Sequence, residues 1–214
     1  MTVTISRLYN SYAEAREAIL SLEAAGVASS DISVVASNAD NWYSENGNGR
    51  GATARDTIVD RDLDGKDDRA EAAATGAGVG ATVGGVAGLL AGLGIIAIPG
   101  VGPVVAAGWL VATLAGAATG GVAGGIIGPL TQTGLSKEDA EVYAEGIRRG
   151  GAVVTARVKD ADAPKLQSIM ERSAVNVRER AAAYRDSGWQ SFDPKAAPYT
   201  TDQVRREREL YTRR

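Results

Sequence analysis

The sequence predicts an α+β fold, a ferredoxin-like four-stranded sheet into which a glycine-zipper helical hairpin is inserted. Strand and helix patterns alternate near both ends of the chain, and an uncharged run of small and aliphatic residues lies between them. Two half-sheets on either side of one insertion make a small sandwich of sheet and helices. The predicted boundaries are 1–37 for the first half of the α+β domain, 38–71 for an acidic linker rich in Gly, Asn and Asp, 72–136 for the hairpin, 137–180 for the second half of the domain, and 181–214 for a polar tail with a basic end.

The first half of the domain has the pattern of a strand, a helix and a second strand. Residues 3–9 alternate apolar and polar side chains, as a half-buried strand does. Ser11 and Glu14 then stand in capping-box register at the start of a helix, and Gly26 marks its end. Residues 31–35 predict the second strand.

The linker carries a candidate calcium-binding loop. Its carboxylates follow the spacing D-x-D-x-D-G-x5-E, in which acidic residues alternate before a glycine turn and a final glutamate binds through both oxygens. The ligands would be Asp60, Asp62, Asp64, the backbone oxygen of Lys66, and Glu71. The segment before this loop is short and polar for an entering helix. The alternative is therefore a solvated acidic linker, with Asp68 and Glu71 near the N-terminus of the next helix, where the helix dipole favours negative charge.

The uncharged run carries glycine at every fourth position in two series, except that Ala112 fills one place in the second. Residues four apart lie on one face of a helix, so each series predicts a helix with a bare stripe that another backbone can approach closely. We expect helices over residues 75–97 and 103–128, joined by a turn rich in Pro and Gly. The glycines expected at assembly contacts are Gly76, Gly80, Gly84, Gly88, Gly92, Gly108, Gly116, Gly120, Gly124 and Gly128.

Two environments would stabilise this hairpin. Arms of about 35 Å are long enough to cross a hydrocarbon core of about 30 Å, and an even number of spans keeps both halves of the sheet on one side. A hairpin buried in a soluble assembly accounts for the glycines equally well. The predicted partners are therefore the chain itself, as a homo-oligomer or filament, and a lipid bilayer.

The second half of the domain begins where Ser136 and Asp139 stand in capping-box register. Residues 153–158 predict a strand, Pro164 starts another helix, and residues 175–180 predict the fourth strand. In the tail, an arginine-rich helix is expected near the C-terminus. It would either be drawn to anionic lipid or remain a solvated end, since acidic residues dilute its charge.

The amino-acid composition excludes several classes of functional site. The chain has 214 residues, a net charge of -3, and neither cysteine nor histidine. These absences exclude disulfides, thiol nucleophiles, Cys/His zinc sites and Ser-His-Asp triads, and the charge gives no general attraction to nucleic acid. Neither nucleotide-binding glycine fingerprint is present. We therefore expect a non-catalytic protein with no cofactor other than Ca²⁺, and the absence of a signal-peptide pattern at the N-terminus predicts a cytoplasmic protein.

Three blocks resemble one known family: AIPGVGPVVAAG at 97–108, EDAEVYAE at 138–145 and GGAVV at 150–154. Together with the N-terminal strand–helix–strand pattern, they resemble bacterial general stress proteins of the 17M-like, or YflT-like, heat-induced stress family, over roughly residues 5–175. The resemblance implies a stress-linked protein. It implies no catalytic residues, so none are assigned.

Overall fold

The computed structural model describes residues 1–44, 93–119 and 125–212. Within these ranges, a five-stranded antiparallel sheet lies between two layers of helices. The strands are β1 (Thr2–Tyr9), β2 (Ile32–Ser37), β3 (Gly94–Ile98), β4 (Gly102–Ala107) and β5 (Ala152–Lys159). The helices are α1 (Tyr12–Ala24), α2 (Leu110–Thr119), α3 (Ile127–Gln132), α4 (Lys137–Arg148), α5 (Ala163–Glu171), α6 (Val177–Asp186) and α7 (Thr201–Thr212).

The strands lie in the order β1-β5-β2-β4-β3. β5 is antiparallel to both β1 and β2, so these two strands run parallel on either side of it, and α1 connects them. This is a split β-α-β arrangement, with β5 between the two strands that α1 connects. The register pairs Ala156 with Ile5 of β1 and with Ile32 of β2, which places apolar side chains of the three strands side by side.

Each face of the sheet is covered by its own helices. Successive side chains of a strand point to opposite faces, so Val34 belongs to one core cluster and Val35 to the other. The first face packs on α1 and α5 through Ile19, Leu22, Leu166 and Met170. The second face packs on α2, α3 and α4 through Leu110, Leu114, Leu130, Tyr143 and Ile147.

Several local predictions are confirmed. The Ser11 hydroxyl accepts the backbone N–H of Glu14 at 3.3 Å at the start of α1, and the Ser136 hydroxyl accepts that of Asp139 at 3.0 Å at the start of α4. The predicted strand at 153–158 is the central part of β5. A capping serine binds the backbone one turn ahead, and its position is therefore readable from sequence.

The predicted helical hairpin is wrong at its centre. One helix was expected to end at residue 97 and the next to begin at residue 103, but residues 94–98 and 102–107 form the antiparallel pair β3–β4. The segments are rich in Ile and Val, which favour strands, and Gly100 has the positive φ of +75° that a tight turn accepts. The second predicted arm is thus divided among β4, α2 and α3.

The predicted fourth strand at 175–180 is also wrong. Asn176 instead caps α6, a helix containing the helix-favouring run Ala181-Ala182-Ala183. Beside β1, one backbone hydrogen bond remains where that strand was expected, from the Val175 N–H to the Leu8 carbonyl at 2.7 Å. The sheet is therefore five-stranded through β3 and β4 rather than four-stranded.

A polar seam crosses the second face of the sheet. The Ser6 hydroxyl is 3.1 Å from the hydroxyls of both Thr133 and Thr155, and the Tyr143 hydroxyl donates to the Ser6 carbonyl at 3.0 Å. Ser33 accepts the Leu110 N–H at 3.0 Å, at the start of α2. These hydrogen bonds satisfy buried polar groups and fix the positions of α2 and α4 over the sheet.

Candidate functional site

The candidate calcium ligands lie outside the described residues, as do most of the predicted assembly glycines. The undescribed positions are Asp60, Asp62, Asp64, Lys66, Glu71, Gly76, Gly80, Gly84, Gly88, Gly92, Gly120 and Gly124. Among the residues that the structure describes, no group of three or more acidic side chains is placed to hold a metal ion. Nor is any helix in these ranges long and apolar enough to cross a membrane.

Three glycines of the second series are described, and they differ in their surroundings. Gly108 lies in the turn before α2 with φ +92°, and a Cβ there would be 2.2 Å from the Ile32 carbonyl oxygen. Its role is therefore close packing within the chain, not a place on a helical stripe. Gly116 lies in α2, and Gly128 lies on α3, where a Cβ would meet nothing within 4 Å.

The C-terminal arm, residues 188–212, forms a polar site where it packs on the body. After α6 the arm runs without helix or strand to residue 200 and then forms α7. Phe192 is buried in the core of the second face. Pro194 lies against Gly100 so closely that a Cβ on this glycine would be 2.5 Å from the Pro194 Cα. The arm is thereby held against the β3–β4 turn before α7 begins.

α7 docks through one face. Its inward residues are Val204, Glu207, Arg208 and Tyr211, at positions i, i+3, i+4 and i+7. This spacing is the pattern of a helix lying in a groove. Val204 is fully buried, whereas Leu210 on another face is 61% exposed.

The surface that receives α7, here named the docking groove, is lined by Asp40, Arg149, Gly150 and Arg180. Gly150 has φ +103°, and a Cβ there would be 2.4 Å from the Val204 Cγ1. Because glycine has no side chain, α7 can approach the start of β5 this closely.

Polar contacts fix the direction of α7 in the groove. The Arg208 guanidinium donates to the Gly150 carbonyl at 2.9 Å through Nη2 and forms an ion pair with Asp40 through Nη1. Glu207 accepts from Arg149 Nη1 at 3.0 Å. Each charge on this face of α7 therefore meets its opposite in the groove.

Aromatic and backbone contacts extend this recognition along the helix. The Arg180 guanidinium stacks over the Tyr211 ring, 3.4 Å from its centroid. At the other end of α7, the Thr201 hydroxyl donates to the Ala39 carbonyl at 2.8 Å. Cation–π contacts with arginine are most favourable where water is excluded.

Glu145 is the buried carboxylate that pairs with Arg149 of the docking groove and with the neighbouring Arg148. Its side chain is only 1% exposed, and its carboxylate accepts from Arg149 Nε at 2.6 Å and from Arg148 Nη1 at 3.1 Å. A buried carboxylate is tolerated only when paired in this way. Burial acts to lower the pKa of Arg149, but the hydrogen bond and charge of Glu145, together with the charge of Glu207, hold it above its usual value.

Little space remains beneath α7. A cavity of about 10 Å³ lies among Tyr9, Asn10, Arg149 and Tyr211, which is room for about one water molecule. The groove is thus filled by the chain's own helix. Its chemistry is that of helix recognition through paired charges.

The groove was not predicted from sequence, although some signals are visible. Glu145 and Arg149 are spaced i, i+4, which places them on one helical face. The predicted arginine-rich helix near the C-terminus is confirmed as α7, but its expected solvation or attraction to lipid omitted the docked face. Models of known protein families, curated proteins and solved structures were each compared with the chain, and none of the three comparisons finds a match.

Proposed function

We propose that this chain is a non-catalytic, stress-associated protein of the cytoplasm that assembles with copies of itself through its glycine-rich stretch. The observation that carries the proposal is the recurrence of glycine at every fourth position within an uncharged run. Glycine costs about 1 kcal/mol relative to alanine inside a helix, so the repeated loss calls for close packing that offsets it. The link to stress rests on the sequence resemblance to the 17M-like family.

The described fold bears on the membrane-spanning form of the predicted hairpin. The second predicted arm contains β4, which belongs to the sheet, so two long helices crossing a bilayer together are not supported by this part of the chain. Gly128 on α3 leaves open space where a second chain can approach. The alternative is that residues 75–93 associate with a membrane and bring copies of the chain together there.

Replacing one glycine of the first series tests this function. A leucine at Gly84 inserts a side chain where backbones are proposed to touch, and overpacking a tight site costs about 1–3 kcal/mol at each repeated interface. We expect Gly84→Leu to reduce oligomer size in light scattering. Gly85→Leu, one position round the predicted stripe, is the matched control and should assemble like the parent. Equal assembly of both variants and the parent would remove the basis of the proposal.

Calcium-responsive binding is a second candidate function, favoured by the full D-x-D-x-D-G-x5-E spacing. Isothermal calorimetry of the whole chain should then detect Ca²⁺ binding that is lost when Asp60 and Glu71 are both changed to alanine. Asp67→Ala, which removes a charge from a non-ligand position of the loop, should retain it. Binding lost equally in both variants would indicate general attraction to acidic charge.

A further inference from the structure

We propose that the docking groove accepts α7 from a second copy of this chain as well as its own, so that C-terminal arms exchange between copies. The proposal deepens the self-assembly proposed above and rests on it, because assembly brings the arms of neighbouring copies together. The partner is thus a second copy, and the binding element is α7.

Recognition of α7 depends on its side chains rather than on its connection to the body. Val204 covers Gly150, Glu207 meets Arg149, and both are contacts that the same helix from another copy would reproduce. The order of charges along the groove also sets direction, since Arg208 must reach Asp40 while Glu207 reaches Arg149. Such charge complementarity provides specificity for this sequence over other helices.

The arm would exchange as one unit from residue 188 to the end of α7, so that Phe192 and Pro194 leave one body and take the same positions on the other. Val204 is the one residue of α7 that is fully buried among those whose side chains are described, and the remaining contacts are polar or at the edge. Gly188, where the arm begins, has the left-handed φ of +91° common just after a helix, and nothing lies within 4 Å of its Cβ position. The stretch from 188 to 200 contains no helix or strand and can span roughly 40 Å when extended.

Tethering decides which copy of α7 occupies the groove. Once the arm has left the body, the short tether gives its own helix an effective concentration on the order of millimolar. Copies held together in an assembly present their neighbours' arms at a comparable concentration, and exchange of identical elements is a low-cost route to dimers.

Two charge reversals on separate chains test the exchange. Asp40→Arg alters the groove, and Arg208→Asp alters α7. In either variant alone, like charges face one another when the arm docks on its own body. When the two variants are mixed, reciprocal exchange restores opposite charges in one groove and the native pair in the other. We expect mixed dimers in native mass spectrometry to exceed like-with-like dimers by about tenfold.

Controls separate exchange from general effects of charge. The double variant Asp40→Arg/Arg208→Asp should return to the closed arrangement of the parent, which also shows that the variants fold. Arg7 and Glu171 form an ion pair of 2.6 Å within the body. Mixing Arg7→Glu with Glu171→Arg should therefore give no excess of mixed dimers, because arm exchange cannot rejoin that pair. If the mixture of Asp40→Arg and Arg208→Asp chains gives no more mixed dimers than like-with-like dimers, the proposal is wrong.

A disulfide trap keeps the proposal testable if charge reversal unfolds the chain. The sequence has no cysteine, so chains carrying Asp40→Cys and chains carrying Arg208→Cys each hold one thiol. After mixing and mild oxidation, we expect more mixed disulfide dimers than in the matched mixture of Arg7→Cys and Glu171→Cys. Equal yields would overturn the exchange. If Gly84→Leu abolishes large assemblies while mixed pairs still form in concentrated solution, the two proposals are distinguished.

Discussion

Gly150 shows how one residue determines whether the C-terminal helix can dock. Its φ of +103° and the 2.4 Å that would separate an added Cβ from the Val204 Cγ1 act in the same direction. We expect Gly150→Ala to lower the free energy of unfolding by about 2–3 kcal/mol, about 1 kcal/mol of it from the left-handed backbone and the rest from displacement of Val204. Urea denaturation measures the loss.

Gly188→Ala is the matched control for this prediction. Gly188 has nearly the same backbone conformation, with φ +91°, but nothing lies within 4 Å of its Cβ position. It should therefore lose only the backbone part, about 1 kcal/mol. Equal losses at Gly150 and Gly188 would show that Val204 moves aside freely and that the docking groove is loose.

Tyr143 makes stability depend on pH in the alkaline range. Burial raises the pKa of its hydroxyl to about 12, with Arg7 acting to lower it and Asp139 to raise it. A tyrosine in the unfolded chain has a pKa of about 10, so as pH rises from about 10 to 12 the unfolded state loses the proton first. The stabilisation is therefore full below about pH 10 and is lost toward about pH 12, by roughly 2–3 kcal/mol in total.

Tyr143→Phe removes this titration and tests its size. We expect the variant to lose less stability than the parent between about pH 9 and 11.5, in urea midpoints taken at fixed pH. It should be less stable than the parent at neutral pH, because the hydrogen bond to the Ser6 carbonyl is gone. Burial also raises the pKa values of Tyr9 and Tyr184, so the variant should still lose part of its stability as pH rises. An unchanged slope would show that Tyr143 does not contribute to it.

At the scale of elements, prediction succeeded where the determining interactions are local. β1, α1 and β5 follow from side-chain alternation and from serine caps that act within one turn. β3 and β4 were missed because the helices predicted from the glycine series on either side were extended into residues 94–97 and 103–107, whereas the pairing of β4 with β3 and with β2 depends on tertiary contacts. Short apolar runs bounded by Pro and Gly are ambiguous between strand and helix on sequence alone.

The docking groove was beyond sequence prediction for a related reason. Asp40 precedes Arg208 by 168 positions, and Arg149 precedes Glu207 by 58. Their proximity depends on the sheet order and on the path of the C-terminal arm, neither of which the four-stranded prediction contained. Helical spacings are visible in the sequence, that of Glu145 and Arg149 and that of the inward residues of α7, but neither identifies the surface on which α7 lies.

The cap at the start of α6 can be tested by mutation, in the segment where the sequence pattern had predicted a strand. The Asn176 side-chain oxygen accepts the N–H groups of Arg178 at 3.1 Å and Glu179 at 3.3 Å. Replacing an asparagine cap by alanine costs about 1 kcal/mol, and we expect this loss for Asn176→Ala in urea denaturation. Asn176→Asp retains the capping oxygen and should stay within a few tenths of a kcal/mol of the parent. Equal stability of all three chains would indicate that tertiary packing alone holds α6.

At the scale of the whole molecule, a hydrogen bond joins the segment that follows β2 to the segment that precedes β3. The Tyr43 hydroxyl donates to the Leu93 carbonyl at 2.9 Å. Trp42 stacks on Tyr12 with ring centroids 4.1 Å apart, and its indole N–H donates to the Ser37 carbonyl at 2.7 Å. The points where the chain leaves β2 and returns toward β3 are therefore held side by side by contacts within the sheet-and-helix body.

These contacts predict that the body and the glycine-rich insertion are separable. We expect a chain in which residues 46–91 are replaced by a Gly/Ser linker of about six residues to fold cooperatively. Its free energy of unfolding should match the parent's or exceed it by up to about 2 kcal/mol, because a shorter loop costs less entropy to close. The same chain should lose large oligomers in light scattering, since the first glycine series is removed. Failure to fold would show that the insertion completes the core, and a folded chain that still assembles would locate the assembly contacts outside that series.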